Sequence, residues 1–162
     1  DVTLAFPSIL QAILIITVLG PGLQSVVVAI AIFCIPVYSR TVRGAVLSLK
    51  EMEYVEAARA IGRTETGIMF RHVLPNALPL LIVQTSLMLA NAMLVASSLS
   101  FIGLGAQPPT PEWGAMLASS RAYLRTAPWV SIFPGLAITI SVLGLNLLGD
   151  GLRDLLDPRL RQ

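Results

Sequence analysis

The stretch NALPLLIVQTSLMLANAMLVASSLS, residues 76–100, contains no Asp, Glu, Lys or Arg. It sits inside a longer uncharged run from Val73 to Pro111. An α-helix rises about 1.5 Å per residue, so roughly 20 apolar residues cross a hydrocarbon core of about 30 Å. Working outward, the same absence of charge recurs from Val2 to Ser39 and from Thr126 to Gly149. The first of these runs is long enough for two crossings. It is interrupted by Gly20-Pro21-Gly22, poor helix formers that favour a turn. The pattern predicts an all-α integral membrane protein with four transmembrane helices, at about 3–19, 23–39, 76–100 and 130–149.

Composition supports that class. Of 162 residues, 55% are hydrophobic and 12% charged, and the mean hydropathy is +0.79. A soluble domain carries about 25% charged residues, so an ordinary water-exposed globule is excluded. Disorder is excluded by the abundance of apolar side chains. The single cysteine, Cys34, rules out a disulfide framework and a cysteine-built zinc site.

The basic residues set an expected orientation. Arg40, Arg43, Lys50, Arg59, Arg63 and Arg71 lie between the second and third spans, and Arg153, Arg159 and Arg161 follow the fourth. Only Arg121 and Arg125 lie between the third and fourth, and the Gly20–Gly22 turn has none. The positive-inside rule puts the 40–75 loop and the 150–162 tail in the cytoplasm, with the 101–128 loop outside. The chain starts at Asp1 directly on a span, without a basic n-region or a small-residue cleavage site. The first span is therefore not expected to be a signal peptide, and the start reads as a truncation.

The 40–75 loop carries its own pattern. Tyr54, Ala58 and Ile61 follow helical spacing with Ala57 beside them, predicting a short helix with a narrow small-residue face. Glu51, Glu53 and Glu56 stand toward its start and Arg59 toward its end, as the helix dipole favours. Gly62 is placed to stop it. Thr64 then reads as the N-cap of a second short helix through Ile68, Met69 and Phe70, which Leu74-Pro75 is expected to end.

Here the sequence resembles a known family. Glu56-Ala57-Ala58, then Gly62, then Leu74-Pro75 match the EAA loop of the membrane permeases of ABC importers. The usual pattern has an isoleucine two residues before that Leu-Pro pair, where this chain has His72. Arg71-His72-Val73-Leu74-Pro75-Asn76 is similar instead to the dipeptide, oligopeptide and nickel branch, and further segments resemble that branch's second permease. These are Leu19-Gly20-Pro21-Gly22, Ser100 to Gly105 with Gln107-Pro108-Pro109, Asn146 to Asp154, and Asp157-Pro158-Arg159-Leu160.

The resemblance implies a type I importer transmembrane domain of six spans, of which this chain would lack the first two. It implies that Tyr54, Glu56, Ala57, Ala58, Ile61, Gly62, Leu74 and Pro75 form the coupling segment that docks in a groove of a cytoplasmic ATPase subunit. It also implies a second homologous permease subunit and an extracytoplasmic solute-binding protein that meets the 101–128 loop. It implies, too, that membrane lipid surrounds the spans in a bacterial or archaeal cytoplasmic membrane. The solute would be a dipeptide, a longer peptide or nickel.

The residues themselves argue for transport powered elsewhere. No G-x-x-x-x-G-K-[ST] segment is present, and the only lysine is Lys50, so ATP hydrolysis is assigned to another subunit. No span holds an ionisable group of the kind ion-driven carriers use for coupling. An ion-driven secondary transporter or channel fragment is the alternative, and uptake driven by an ion gradient without an ATPase would mark it. His72 stands alone beside Arg71, and Cys34 lies in an apolar run, so no catalytic residues are assigned. No cofactor, metal or nucleic-acid partner is expected. In the third span Gln84, Asn91 and Ser98 recur every seven residues, with Thr85 and Ser86 read as lying on the same side. In lipid such a face turns toward protein or water, and it is the candidate lining of a translocation path. The competing role is helix–helix hydrogen bonding. Trp113, Tyr123 and Trp129 in the outer loop read as interface-belt aromatics, and a surface helix is expected from Met116 to Leu124.

Overall fold

The computed structural model describes residues 7–156. The Asp157-Pro158-Arg159-Leu160 segment and the first residues of the predicted 3–19 span lie outside the described residues. Every regular element among the described residues is helical. In chain order these are α1 (Ser8–Leu19), α2 (Leu23–Lys50), α3 (Glu53–Ala60) and α4 (Glu65–Ile68), then a π-helical turn (Met69–Val73) and α5 (Leu74–Phe101). After them come α6 (Trp113–Ser120), a 3₁₀ turn (Arg121–Tyr123) and α7 (Trp129–Leu156).

Among the described residues three helices are long and apolar enough to cross a membrane: Leu23–Lys50, Glu65–Phe101 and Trp129–Leu156. The predicted first span is represented by α1, whose 12 residues reach only about 18 Å. It starts after Pro7, which sits in extended backbone at its N-cap.

Helix α5 is the centre of the bundle, with α7 along one side, α2 on another and α6 against its C-terminal end. The α1–α2 hairpin closes on it through Ala12 and Ile16 of α1, Val26 and Ala29 of α2, and Leu99 of α5, all buried. The α5–α7 and α5–α6 contacts are made by small residues. Gly149 of α7 lies against Ser86, and Gly114 of α6 lies against the backbone of Ser97. Close approach through small residues is the usual way helices associate where no water drives them together. The large side chains point outward: Val18 is 83% exposed and Phe133 69%. Such a surface suits lipid or further protein, not water.

Two helices run on beyond their expected spans, and two boundary expectations are corrected. The helix that contains the 23–39 span, α2, continues through Arg40 and Arg43 to Lys50, and α7 likewise runs past residue 149 to Leu156. Charge marks where a helix leaves the apolar layer and does not interrupt the i→i−4 ladder. Leu74-Pro75 does not end a helix but begins α5. Proline is tolerated in a first turn, where its missing N–H has no partner to lose. The π-turn just before it lets the Leu74 N–H reach the Met69 carbonyl, and the Asn76 side chain donates to the His72 carbonyl at 2.6 Å. The helix expected from Met116 starts at Trp113. Glu112 caps it by accepting the Ala115 N–H at 2.8 Å, and the α-helix gives way to the 3₁₀ turn after Ser120.

Candidate functional site

Helix α3 is a short helix that follows the end of α2 and packs against it. Glu53 and Glu56 lie in its first turn and Arg59 in its last, matching the dipole. Its inward face is Val55 and Ala58, which are buried against Ile68 and Val73, with Val46 and Leu49 of α2 and Met69 packed alongside. This cluster joins the end of α2, α3, α4 and the π-turn into one body. A helix of eight residues is marginal alone, so the cluster is what maintains it.

Gly62 ends α3 as predicted, with φ of +80°. Its N–H bonds to Arg59 O at 2.9 Å, and the Arg63 N–H bonds to Ala58 O at 3.1 Å. That paired arrangement needs the left-handed conformation which only glycine adopts freely. Thr64 caps α4, accepting the Gly67 N–H at 3.3 Å. Across the break, Arg59 Nε donates to Glu65 Oε1 at 2.8 Å and Nη2 to Oε2 at 3.3 Å. The hydrogen bond from Arg59, aided by its charge and that of Lys50, holds the Glu65 carboxyl below its ordinary range. The bond to Glu65 raises the Arg59 guanidinium further.

The face expected to be presented is thus partly corrected. Ala58 turns inward beside Val55, a residue that sequence reasoning missed although it stands at i−3 from Ala58. Tyr54, Glu56, Ala57 and Ile61 face outward, with Ile61 76% exposed. The Tyr54 ring leans toward His72, their centroids 6.2 Å apart. Leu74 and Pro75 are exposed at the start of α5.

The polar residues of α5 divide into separate faces. Asn91 and Ser98 are exposed and Gln84 half-buried. Asn91 edges a shallow groove with Ala12, Ala29, Phe33, Cys34 and Val95, and the Ser98 hydroxyl donates to Leu94 O at 2.7 Å. Ser86 is not on that side: it is buried, and faces Gly149 of α7. One residue apart on a helix is about 100° and two about 200°, so Thr85 and Ser86 could not share the face of Gln84. Thr85 instead accepts the Tyr38 hydroxyl of α2 at 2.9 Å. Tyr38 is a polar residue within a span that sequence reasoning left out.

A small-residue-packed bundle with outward apolar side chains is the architecture of an all-α, multi-pass membrane protein. Residues 1–162 match the family described as binding-protein-dependent transport system inner membrane component, and the chain belongs to that family, whose members are transport components and not enzymes. It is 52% identical over 161 residues to the dipeptide transport system permease protein DppC of Alkalihalophilus pseudofirmus, covering 99% of this chain and 53% of that protein. It is also 52% identical over 161 residues to the glutathione transport system permease protein GsiD of Pectobacterium atrosepticum, covering 99% and 54%. The same holds for GsiD of Salmonella typhimurium, with 99% and 53% covered. The chain spans about half the length of these curated relatives.

Proposed function

We propose that this chain is part of a permease subunit of an ATP-driven importer of short peptides, with α3 as its coupling helix. The observation that carries the reading is the exposed Tyr54–Ala57–Ile61 face on a helix pinned from beneath by Val55 and Ala58. Ala57 leaves room for close approach to a groove, and Glu56 beside it offers a carboxylate to a donor on the partner. The continuous helical path of 65–101 makes the mount stiff, so displacement of α3 is passed to the spans. Shifting a two-state equilibrium from 1:99 to 99:1 takes about 5.5 kcal/mol of differential binding, which a loosely hung loop would not transmit.

In this reading the 40–75 segment and the C-terminal end face the cytoplasm, as their basic residues favour. The partners are cytoplasmic ATPase subunits, a second homologous permease and an extracytoplasmic solute-binding protein reached from the 101–128 loop. Gln84, Asn91 and Ser98 line the path. Their uncharged donors and acceptors suit the backbone of a peptide, in keeping with the dipeptide and glutathione named for the relatives. The full-length protein bearing Glu56→Lys should insert normally and lose ATP-driven uptake. Unchanged uptake would remove the coupling role.

A further inference from the structure

Glu65 occupies a position that the apolar cluster does not explain. It lies at the start of α4, across the Gly62 break from α3, and takes both its hydrogen bonds from Arg59. With Lys50, the last residue of α2, these two side chains line one open depression whose other walls include Ile68, Met69, Phe70 and Val73. One carboxylate therefore stands near cations from two different helices. The pair is exposed, Arg59 by 42% and Glu65 by 65% of the side chain, and exposed pairs add little to overall stability. Its consequence is geometric. The Val55–Ala58 contact is a short stripe about which α3 could still roll, whereas a two-bond fork between planar groups fixes direction as well as distance.

We propose that Glu65 is a positioning residue that, through Arg59, fixes the direction in which α3 presents Tyr54, Ala57 and Ile61 to the ATPase subunit. This rests on the coupling role proposed for α3 and adds the element that sets its aim. Neutral substitutions test it best, because exchanging the two charges would set each against its helix dipole.

In the full-length protein, spin labels on α3 (Ala60→Cys) and on α5 (Leu80→Cys), with Cys34 replaced by serine, report the spread of distances between the two helices, and retention of the ATPase subunits is measured on unlabelled protein. Arg59→Gln and Glu65→Gln should each broaden that distribution and weaken retention of the ATPase subunits by about threefold. The double variant should lose about threefold as well, not about ninefold, because both changes remove one interaction. Unbroadened distances in both single variants, or multiplicative losses in the double, would overturn the proposal. If the ATPase subunits fail to bind even the unaltered protein, the coupling reading falls, and the distances then decide the positioning claim alone.

Discussion

Gly149 of α7 lies directly over the hydroxyl of Ser86 in α5: a Cβ added to Gly149 would stand 2.9 Å from Ser86 Oγ and 3.3 Å from Leu87 Cδ2. The longest helix–helix contact of the bundle therefore depends on a missing side chain. Overpacking of this kind costs about 1–3 kcal/mol. Gly149→Val is expected to lower the thermal midpoint followed by helical circular dichroism in detergent. Adding Ser86→Gly should restore part of the loss, since the obstructing hydroxyl is then gone.

Gly62 differs, because nothing lies within 4 Å of where its Cβ would be. The demand there is conformational, at φ of +80°. Gly62→Ala should cost about 1–2 kcal/mol of local strain and be felt only where α3 must hold its angle. Uptake should fall severalfold while expression and the midpoint of the bundle stay near those of the parent. An equal fall in the midpoint would show that the turn supports the whole fold.

Asn91 separates a path-lining role from a packing role. A hydrogen bond between membrane helices is worth about 0.6 kcal/mol, so Asn91→Leu should barely move stability. If the exposed Asn91–Ser98 face lines the path, uptake of a labelled dipeptide by the full-length transporter should change markedly while the ATPase subunits remain attached. Tyr38→Phe is the comparison, since it removes a bond between α2 and α5 and should shift stability more than uptake.

Much of this was legible in the chain. The long uncharged runs located α2, α5 and α7, and Gly62 and Thr64 marked turn and cap because each local requirement is met by glycine or by a short list of capping residues. What escaped detection lay where tertiary context overrides local rules. Arg40 and Arg43 mark the limit of an apolar layer, and charge pattern alone does not say that α2 runs on through them to Lys50. Pro75 looked like a breaker until the π-turn placed it in a first turn. The fork between Arg59 and Glu65 left no signal, because it joins side chains of two elements that are brought together only once α3 and α4 have packed through Val55 and Ile68.

The proposed coupling role requires the exposed face of α3 to meet a nucleotide-hydrolysing partner, and Ile61, which caps α3 at its C-terminal end, is 76% exposed. The direct measurement is cysteine cross-linking in the assembled full-length transporter, using Ile61→Cys in a Cys34→Ser background. A cross-link to the ATPase subunit is expected, with Ile61→Cys shielded from a water-soluble maleimide whenever that subunit is bound. Equal labelling with and without the ATPase subunit, and no cross-link, would contradict it.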